Sequence, residues 1–235
     1  MSTLGHMIKQ SLTQNAAQAI LLAPSRLWSR AEILIPDCPV PREPGVYAWY
    51  FRSIPSDVPT DYCLRSGDTT LLYVGISPKR PPTNGSPPSR QRLRNRIRYH
   101  LRGNAAGSTL RLTLGCLLAK ELGIELRRVG SGGRRTFASG EHRLSEWMDE
   151  NAFVVWRPDP EPWELESQLI ASLSLPLNLG ENKQHPFHAT LSSIRRKAKE
   201  HAERLPVVAN TSKTHNLVHG ESSSPLLIRT FYEFQ

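Results

Sequence analysis

Cysteine is scarce in this chain of 235 residues, whose three thiols, Cys38, Cys63 and Cys116, lie far apart. No C-x-x-C pair is present, and no cysteines and histidines have the spacing of a zinc site. A disulfide-stapled miniprotein and a structural zinc module are therefore excluded, and an odd, scattered cysteine count favours a reducing, cytoplasmic location. Long hydrophobic runs are also lacking, so we expect neither a membrane span nor a signal peptide.

Acidic residues are absent from one long stretch of the chain. Between Asp68 and Glu121 no aspartate or glutamate occurs, whereas ten lysines and arginines do. The formal net charge is +9, and this stretch contains all of the excess. Arginine outnumbers lysine by 23 to 7, and its planar guanidinium suits bidentate contacts with phosphate. The pattern favours a polyanionic partner, with a merely solvated basic helix as the alternative.

Hydrophobic patterning predicts a mixed fold. The runs over 45–51 and 71–76 are apolar on both faces, which is typical of interior strands, and they can pair as a hairpin. A short strand is predicted over 153–156. Helices are predicted over 90–102, 108–122 and 191–205. Another follows the loop over 130–140 and ends near residue 150, and one more runs from Asp159-Pro160 to 175. We therefore expect an α+β fold with a small three-stranded antiparallel sheet, made of the hairpin and one later strand and flanked by helices, with helical additions at both ends.

Two glycine–tyrosine tripeptides lie in the predicted hairpin. Gly45-Val46-Tyr47 opens its first strand, and Tyr73-Val74-Gly75 lies in its second. The helix that follows carries Arg96 and His100 one turn apart, along the edge of its apolar stripe. The pattern therefore places an arginine and a histidine at the border of the core.

A later helix supplies a candidate carboxylate. Glu166 falls in the middle of the apolar arc of this helix, whereas Glu161 and Glu164 lie on its polar side. A buried ionised carboxylate is costly unless a cation or hydrogen bonds compensate, so Glu166 is a candidate for metal binding or catalysis. A structural salt bridge to Arg96 is the alternative. Asn178, twelve residues after Glu166, is typical of a turn when taken alone.

These motifs, in this order and spacing, resemble the GIY-YIG nuclease superfamily, with valine in place of isoleucine in both tripeptides. The similarity is to bacterial members with a stand-alone catalytic domain, and it covers roughly residues 43–182. The chain departs from the minimal family core in its long loops and in an insert at about 108–143. We accordingly divide it into a helical N-terminal extension (1–42), a GIY-YIG-like nuclease domain (43–182), a basic C-terminal helix (183–205) and a flexible tail with an apolar end (206–235).

The resemblance implies a divalent-metal-dependent endonuclease that hydrolyses phosphodiester bonds in DNA. One Mg²⁺ or Mn²⁺ per active site would be held by Glu166 as its only protein ligand, and Arg96 would bind the non-bridging phosphate oxygens. Tyr47 would activate or orient the attacking water, which requires nearby positive charge because a free phenol has a pKa of about 10. The six implied catalytic residues are Tyr47, Tyr73, Arg96, His100, Glu166 and Asn178. Tyr73 and His100 would hold water or phosphate in line, and Asn178 would brace the site.

Other arginines around the same helix are expected to contact the nucleic-acid backbone. On the helical wheel Arg94 and Arg98 point towards solvent, and such contacts contribute affinity and salt dependence rather than sequence reading. The expected nucleic-acid-binding residues are Arg90, Arg92, Arg94, Arg98 and Arg102.

A catalytically silent nucleic-acid-binding module on the same fold is the alternative function. No zinc-hydrolase pattern and no nucleophile elbow occurs in the sequence, and neither a membrane nor an organic cofactor is expected as a partner. DNA is the expected substrate, with RNA left open. The sequence also leaves open the target, the oligomeric state (a homodimer included) and the biological role among restriction, repair, mobile-element and defence nucleases.

Overall fold

The computed structural model describes residues 18–84, 86–131 and 133–209. The predictions for the start of the N-terminal extension and for the tail beyond residue 209 lie outside these ranges. The elements follow one another as α1 (Arg30–Ile33), β1 (Gly45–Phe51), β2 (Arg65–Ser66), β3 (Thr69–Ser77), α2 (Leu93–Arg102), α3 (Thr109–Leu117), α4 (Ala119–Leu122), β4 (Arg127–Val129), β5 (Arg134–Thr136), α5 (Gly140–Asn151), β6 (Ala152–Pro158), α6 (Pro162–Ser172) and α7 (His188–Arg204).

The main sheet is antiparallel, and its strands lie in the order β2-β3-β1-β6. The predicted α+β class and the hairpin with one later strand are present, but the prediction of three strands is wrong, because β2 adds a fourth. This strand pairs only with Thr69 and Thr70, across a turn in which Gly67 has a φ of +59°. A strand of two residues shows no alternation, so the sequence pattern could not reveal it.

Strand β1 lies in the middle of the sheet and is buried along its whole length. Its even-numbered residues pack against α6, and its odd-numbered residues, Tyr47 among them, pack against α2, α3 and α5. Helices therefore cover both faces of the sheet, which explains why the sequence of β1 is apolar without alternation.

Several helices differ from their predicted bounds: α2 begins at Leu93 rather than near residue 90, α6 ends at Ser172 rather than at 175, and α7 covers His188–Arg204 rather than 191–205. Helix α6 begins at Pro162 rather than at Pro160, because the Asp159 carboxylate accepts a hydrogen bond from the Glu161 N–H (3.0 Å) and thereby caps a turn that precedes the helix. The predicted helix over 108–122 is divided at Leu118 into α3 and α4. Within the described ranges, no helix is long and apolar enough to cross a membrane.

The insert forms its own small layer beside the main sheet. Strands β4 and β5 pair as an antiparallel hairpin, and α7 packs against both β4 and α3. Val208, which was expected to lie in the flexible tail, pairs with Val129 in parallel, and its N–H donates to the Arg128 carbonyl (2.9 Å). Residue 208 thus extends the hairpin and connects the end of α7 to the insert.

Candidate active site

One cavity of about 410 Å³ opens between β3, α2 and α6. Five of the six predicted catalytic residues line it: Tyr47, Tyr73, Arg96, Glu166 and Asn178. The sixth, His100, is fully buried directly behind Tyr47. The fold therefore brings together side chains that lie far apart in the sequence.

The glycines of the two tripeptides make room for this arrangement. Tyr47 lies opposite Gly75 in the β1–β3 register, and a Cβ atom at position 75 would lie 2.6 Å from the Tyr47 hydroxyl oxygen. A Cβ atom at position 45 would collide with the Arg157 carbonyl oxygen and with Leu93. Gly75 therefore leaves space for the phenol, and Gly45 permits the close approach of β6 and α2.

The Tyr47 hydroxyl is the centre of a buried polar cluster. It lies 2.9 Å from Nε2 of His100, and the Arg96 Nε–H donates a hydrogen bond to it (3.3 Å). Burial raises the pKa of Tyr47, while the charge and the hydrogen bond of Arg96 act in the opposite direction. Burial likewise raises the pKa of Tyr73. Both phenols are consequently protonated at neutral pH unless further positive charge enters the cavity.

Arg96 is held in place by neutral groups. Besides its bond to Tyr47, its Nη1 donates to the Gly107 carbonyl (3.0 Å). The described residues contain no ion pair between Arg96 and Glu166. The two side chains therefore do not form the structural salt bridge that was the alternative role for Glu166. A guanidinium that borders a cavity without a carboxylate partner is suited to bind an anion there.

Glu166 brings a carboxylate into the same cavity without a direct partner. It makes no hydrogen bond or ion pair within the described part of the chain. Burial and the negative charge of Glu181 raise its pKa to about 7, against the opposing charges of Arg96 and Lys79. No cluster of three or more His, Cys, Asp or Glu side chains suited to a metal occurs among the described residues. Glu166 fits a cation that takes its other ligands from water and substrate.

Asn178 braces the edge of β3. Its Oδ1 accepts a hydrogen bond from the Val74 N–H and its Nδ2 donates to the Val74 carbonyl, both at 2.9 Å. The buried amide thus satisfies both backbone groups of Val74 in the place of a neighbouring strand. This pairing fixes β3 next to Tyr73, whose side chain enters the cavity.

His100 is neutral and fixed from three sides. Its Nδ1 lies 2.7 Å from the Ser108 hydroxyl oxygen, and its backbone carbonyl accepts a hydrogen bond from Arg111 (3.3 Å). Burial lowers the pKa of His100 well below 6.5, and the charges of Arg96 and Arg111 add to this effect.

The insert supplies residues that the sequence analysis did not assign to the site. Arg111 is fully buried; its Nη2 and Nε donate to Oε2 of Glu141 at 2.7 and 2.9 Å. Ser108 and Arg111 therefore connect the insert to His100. The only sequence signal for Ser108 is that of a helix N-cap, and none indicates that it contacts a histidine.

Three further charged residues on the cavity wall were not assigned to the site from the sequence. Lys79 and Arg80 come after Pro78 in the loop that follows β3, and Arg80 forms an exposed ion pair with Glu164 (2.9 Å). Glu181 has a φ of +57° and accepts a hydrogen bond from Ser167 (2.9 Å). The available signal for Lys79 and Arg80 was that two adjacent cations follow the second tripeptide within a few residues.

Two of the predicted nucleic-acid-binding arginines contact the chain itself. The Arg94 Nε donates to the Val40 carbonyl (2.6 Å), and the Arg98 Nη1 donates to the carbonyls of Ile33 and Ile35 (2.8 and 3.1 Å). Both are half-buried rather than solvent-facing, because residues 33–42 lie over the outer side of α2. The helical wheel of α2 alone could not show this cover.

The remaining arginines of this group lie at the surface or at the start of α2. Arg90 and Arg102 are exposed, and Arg92 is the N-cap residue of α2. A groove of about 390 Å³ on the outer side of the helix is lined in part by Arg42, Arg94, Arg98 and Arg102. The acid-free stretch thus contributes cations to the candidate active site and to this groove.

The comparison with protein families agrees with this geometry. The family model described as the GIY-YIG catalytic domain matches residues 45–197, which is more than half of the chain. The chain therefore belongs to the GIY-YIG family, and its domain is of the nuclease type. The match confirms the resemblance read from the sequence and extends into α7. No curated protein and no solved structure gives a significant match.

Proposed function

We propose that the protein is a divalent-metal-dependent endonuclease that hydrolyses phosphodiester bonds in DNA. The observation that carries this proposal is the single cavity in which the unpartnered carboxylate of Glu166 accompanies Arg96 and two tyrosines. An anion-binding guanidinium and a metal-binding carboxylate around one cavity are what phosphodiester hydrolysis requires.

The residues of the cavity fit one Mg²⁺ or Mn²⁺ per active site. Glu166 would hold it, since a half-buried carboxylate with a raised pKa gains from a cation partner. Magnesium keeps several water ligands and commonly binds proteins through one or two carboxylates together with substrate phosphate. When bound, the ion supplies the positive charge that stabilises the departing 3′ oxygen.

The other side chains of the cavity bind and orient the reactants. Arg96 would neutralise the non-bridging oxygens of the scissile phosphate. Tyr47 would orient the attacking water. Once positive charge in the cavity lowers its pKa and the phenol has released its own proton to solvent, the phenolate would accept the proton of that water. Tyr73 would hold water or phosphate in line, and Asn178 keeps the strand of Tyr73 in position.

Positive surface outside the cavity supports a nucleic-acid substrate. The proposed backbone-contacting residues are Arg90, Arg92, Arg94, Arg98 and Arg102, all within the acid-free stretch. Of these, Arg90 and Arg102 are exposed and need no rearrangement to reach phosphate. We further propose that the protein acts in the cytoplasm, where its three free thiols stay reduced.

Glu166→Gln tests the proposal, with Glu164→Gln as the matched control on the same helix. Glu166→Gln should abolish Mg²⁺-dependent nicking of supercoiled plasmid DNA and leave the fold unchanged. Glu164→Gln should retain cleavage, because Glu164 is exposed and paired with Arg80. Equal loss in both variants, or full activity of the unaltered protein in excess EDTA, would contradict the assignment. Metal-independent DNA binding without any cleavage would support the catalytically silent module instead.

A further inference from the structure

A buried chain of hydrogen-bonding groups runs from the insert to the catalytic cavity through Ser108, His100 and Tyr47. We propose that Ser108 is a positioning residue whose hydroxyl fixes His100 in the Nε2–H tautomer, so that His100 donates a hydrogen bond to the Tyr47 hydroxyl oxygen. The catalytic consequence rests on the proposed nuclease function, whereas the tautomer itself does not.

The assignment of the tautomer follows from the hydrogen bonds of Ser108. Its oxygen accepts a hydrogen bond from the Arg111 N–H (3.1 Å), as the N-cap residue of α3. Ser108 is only 1 % exposed, so its hydroxyl proton needs an acceptor within the protein. Within the described part of the chain that acceptor is Nδ1 of His100, at 2.7 Å. A neutral imidazole that accepts at Nδ1 carries its proton at Nε2.

This tautomer decides how the Tyr47 hydroxyl is used. The oxygen of Tyr47 then accepts two N–H donors, Nε2–H of His100 (2.9 Å) and Nε–H of Arg96 (3.3 Å). Its own proton is then not bound by His100 and can be directed to the cavity side, where the Tyr73 hydroxyl also lies. In the opposite tautomer the Tyr47 proton would be directed at His100, away from the position of an attacking water. Two donors also stabilise a phenolate, as proton transfer from water to Tyr47 requires.

The surroundings of His100 agree with a neutral ring. The charged and titratable groups that face it are Arg96, Arg111, Tyr47 and Tyr73, and the nearby carboxylate of Glu141 is engaged by Arg111. Two guanidinium groups without a free carboxylate disfavour an imidazolium. His100 therefore acts as a donor of fixed geometry rather than as an exchangeable proton carrier.

The ring-nitrogen signals of His100 test the tautomer directly. In long-range ¹H–¹⁵N spectra of the ¹⁵N-labelled full-length chain, assigned with His100→Gln, His100 should show the Nε2–H pattern. Ser108→Thr should keep this pattern, and Ser108→Ala should gain the Nδ1–H form. The matched control is Ser29→Ala, which removes another serine N-cap whose hydroxyl bonds with Glu32 rather than with His100 and should leave His100 unchanged. An Nδ1–H form in the unaltered protein, or an unchanged tautomer in Ser108→Ala, would overturn the proposal.

Cleavage kinetics separate positioning from simple helix capping. Ser108→Ala should lower kcat about tenfold with little change in KM, since one directed hydrogen bond is lost, and Ser108→Thr should restore it. Ser29→Ala should keep the kcat of the unaltered protein. A changed tautomer with an unchanged kcat would refute the positioning role. If the unaltered protein does not cleave DNA, the proposed function fails, but the NMR result still decides the tautomer.

Discussion

The buried ion pair between Arg111 and Glu141 allows a stability change to be calculated. The Arg111 side chain is fully buried and that of Glu141 is 15 % exposed, so Arg111→Met leaves a carboxylate in the interior without its cation. Breaking a buried pair in this way costs about 3–5 kcal/mol. Glu141 keeps hydrogen bonds from the Ala105 and Phe137 N–H groups (2.8 and 3.1 Å), so we expect the lower end, about 3 kcal/mol. For a chain of this size the melting temperature should fall by roughly 6–12 °C.

Urea unfolding of three variants measures this effect. Arg111→Met with Glu141→Gln should recover part of the loss, because glutamine can still accept from the Ala105 and Phe137 N–H groups without carrying a buried charge. The matched control is Arg196→Met, whose partner Glu200 is exposed, and it should change the free energy of unfolding by less than about 1 kcal/mol. A loss of under about 1 kcal/mol in Arg111→Met, or a double variant that is no more stable than the single one, would refute the reasoning.

Three further predictions concern the site and the charged surface. As pH falls below 6.5, the unfolded chain protonates at His100 while the folded chain does not, so the free energy of unfolding should fall by up to about 1.4 kcal/mol per pH unit. In urea titrations across this range, His100→Gln should lack this contribution to the pH dependence. An identical pH dependence in both proteins would contradict the burial of a neutral His100. Gly75→Ala should lower the cleavage rate on the order of 10²-fold, because its Cβ displaces the Tyr47 phenol; an unchanged single-turnover rate would contradict this. Arg102→Ala should flatten the dependence of log DNA affinity on log salt by ~0.9 without lowering the melting temperature. Arg98→Ala should lower the melting temperature as well, because it loses two hydrogen bonds to backbone carbonyls. Equal melting temperatures of the two variants would contradict the structural role of Arg98.

The sequence was sufficient for the parts of the site that depend on periodicity within one element. The tripeptide strands are long apolar runs, and the position of Glu166 within an apolar arc separated it from Glu164, which the structure finds exposed. Contacts between distant elements carry no such pattern. The cover of residues 33–42 over Arg94 and Arg98 is of this kind, as is the contact of Ser108 with His100. The two-residue strand β2 is too short for any periodicity.

The insert illustrates the limit of reading domains from a family pattern. Residues from about 108 to 143 lie outside the minimal family core, and the sequence assigned none of them to the site. In the structure their first residues, Ser108 and Arg111, hold the ring and the backbone of His100. Sequence spacing identifies where a segment is added, but only the tertiary packing shows what it supports.

The attachment of His100 to Ser108 and Arg111 has a consequence for protein engineering. A cassette exchange that replaces residues 108–143 by a short linker, or by the corresponding segment of another nuclease, would remove the buried cation and the hydroxyl together. The imidazole would then lose both its partner at Nδ1 and the guanidinium that anchors its carbonyl. Chimeras that are intended to change the target of this protein should therefore keep the first turn of α3 and Glu141, and vary only the hairpin between β4 and β5.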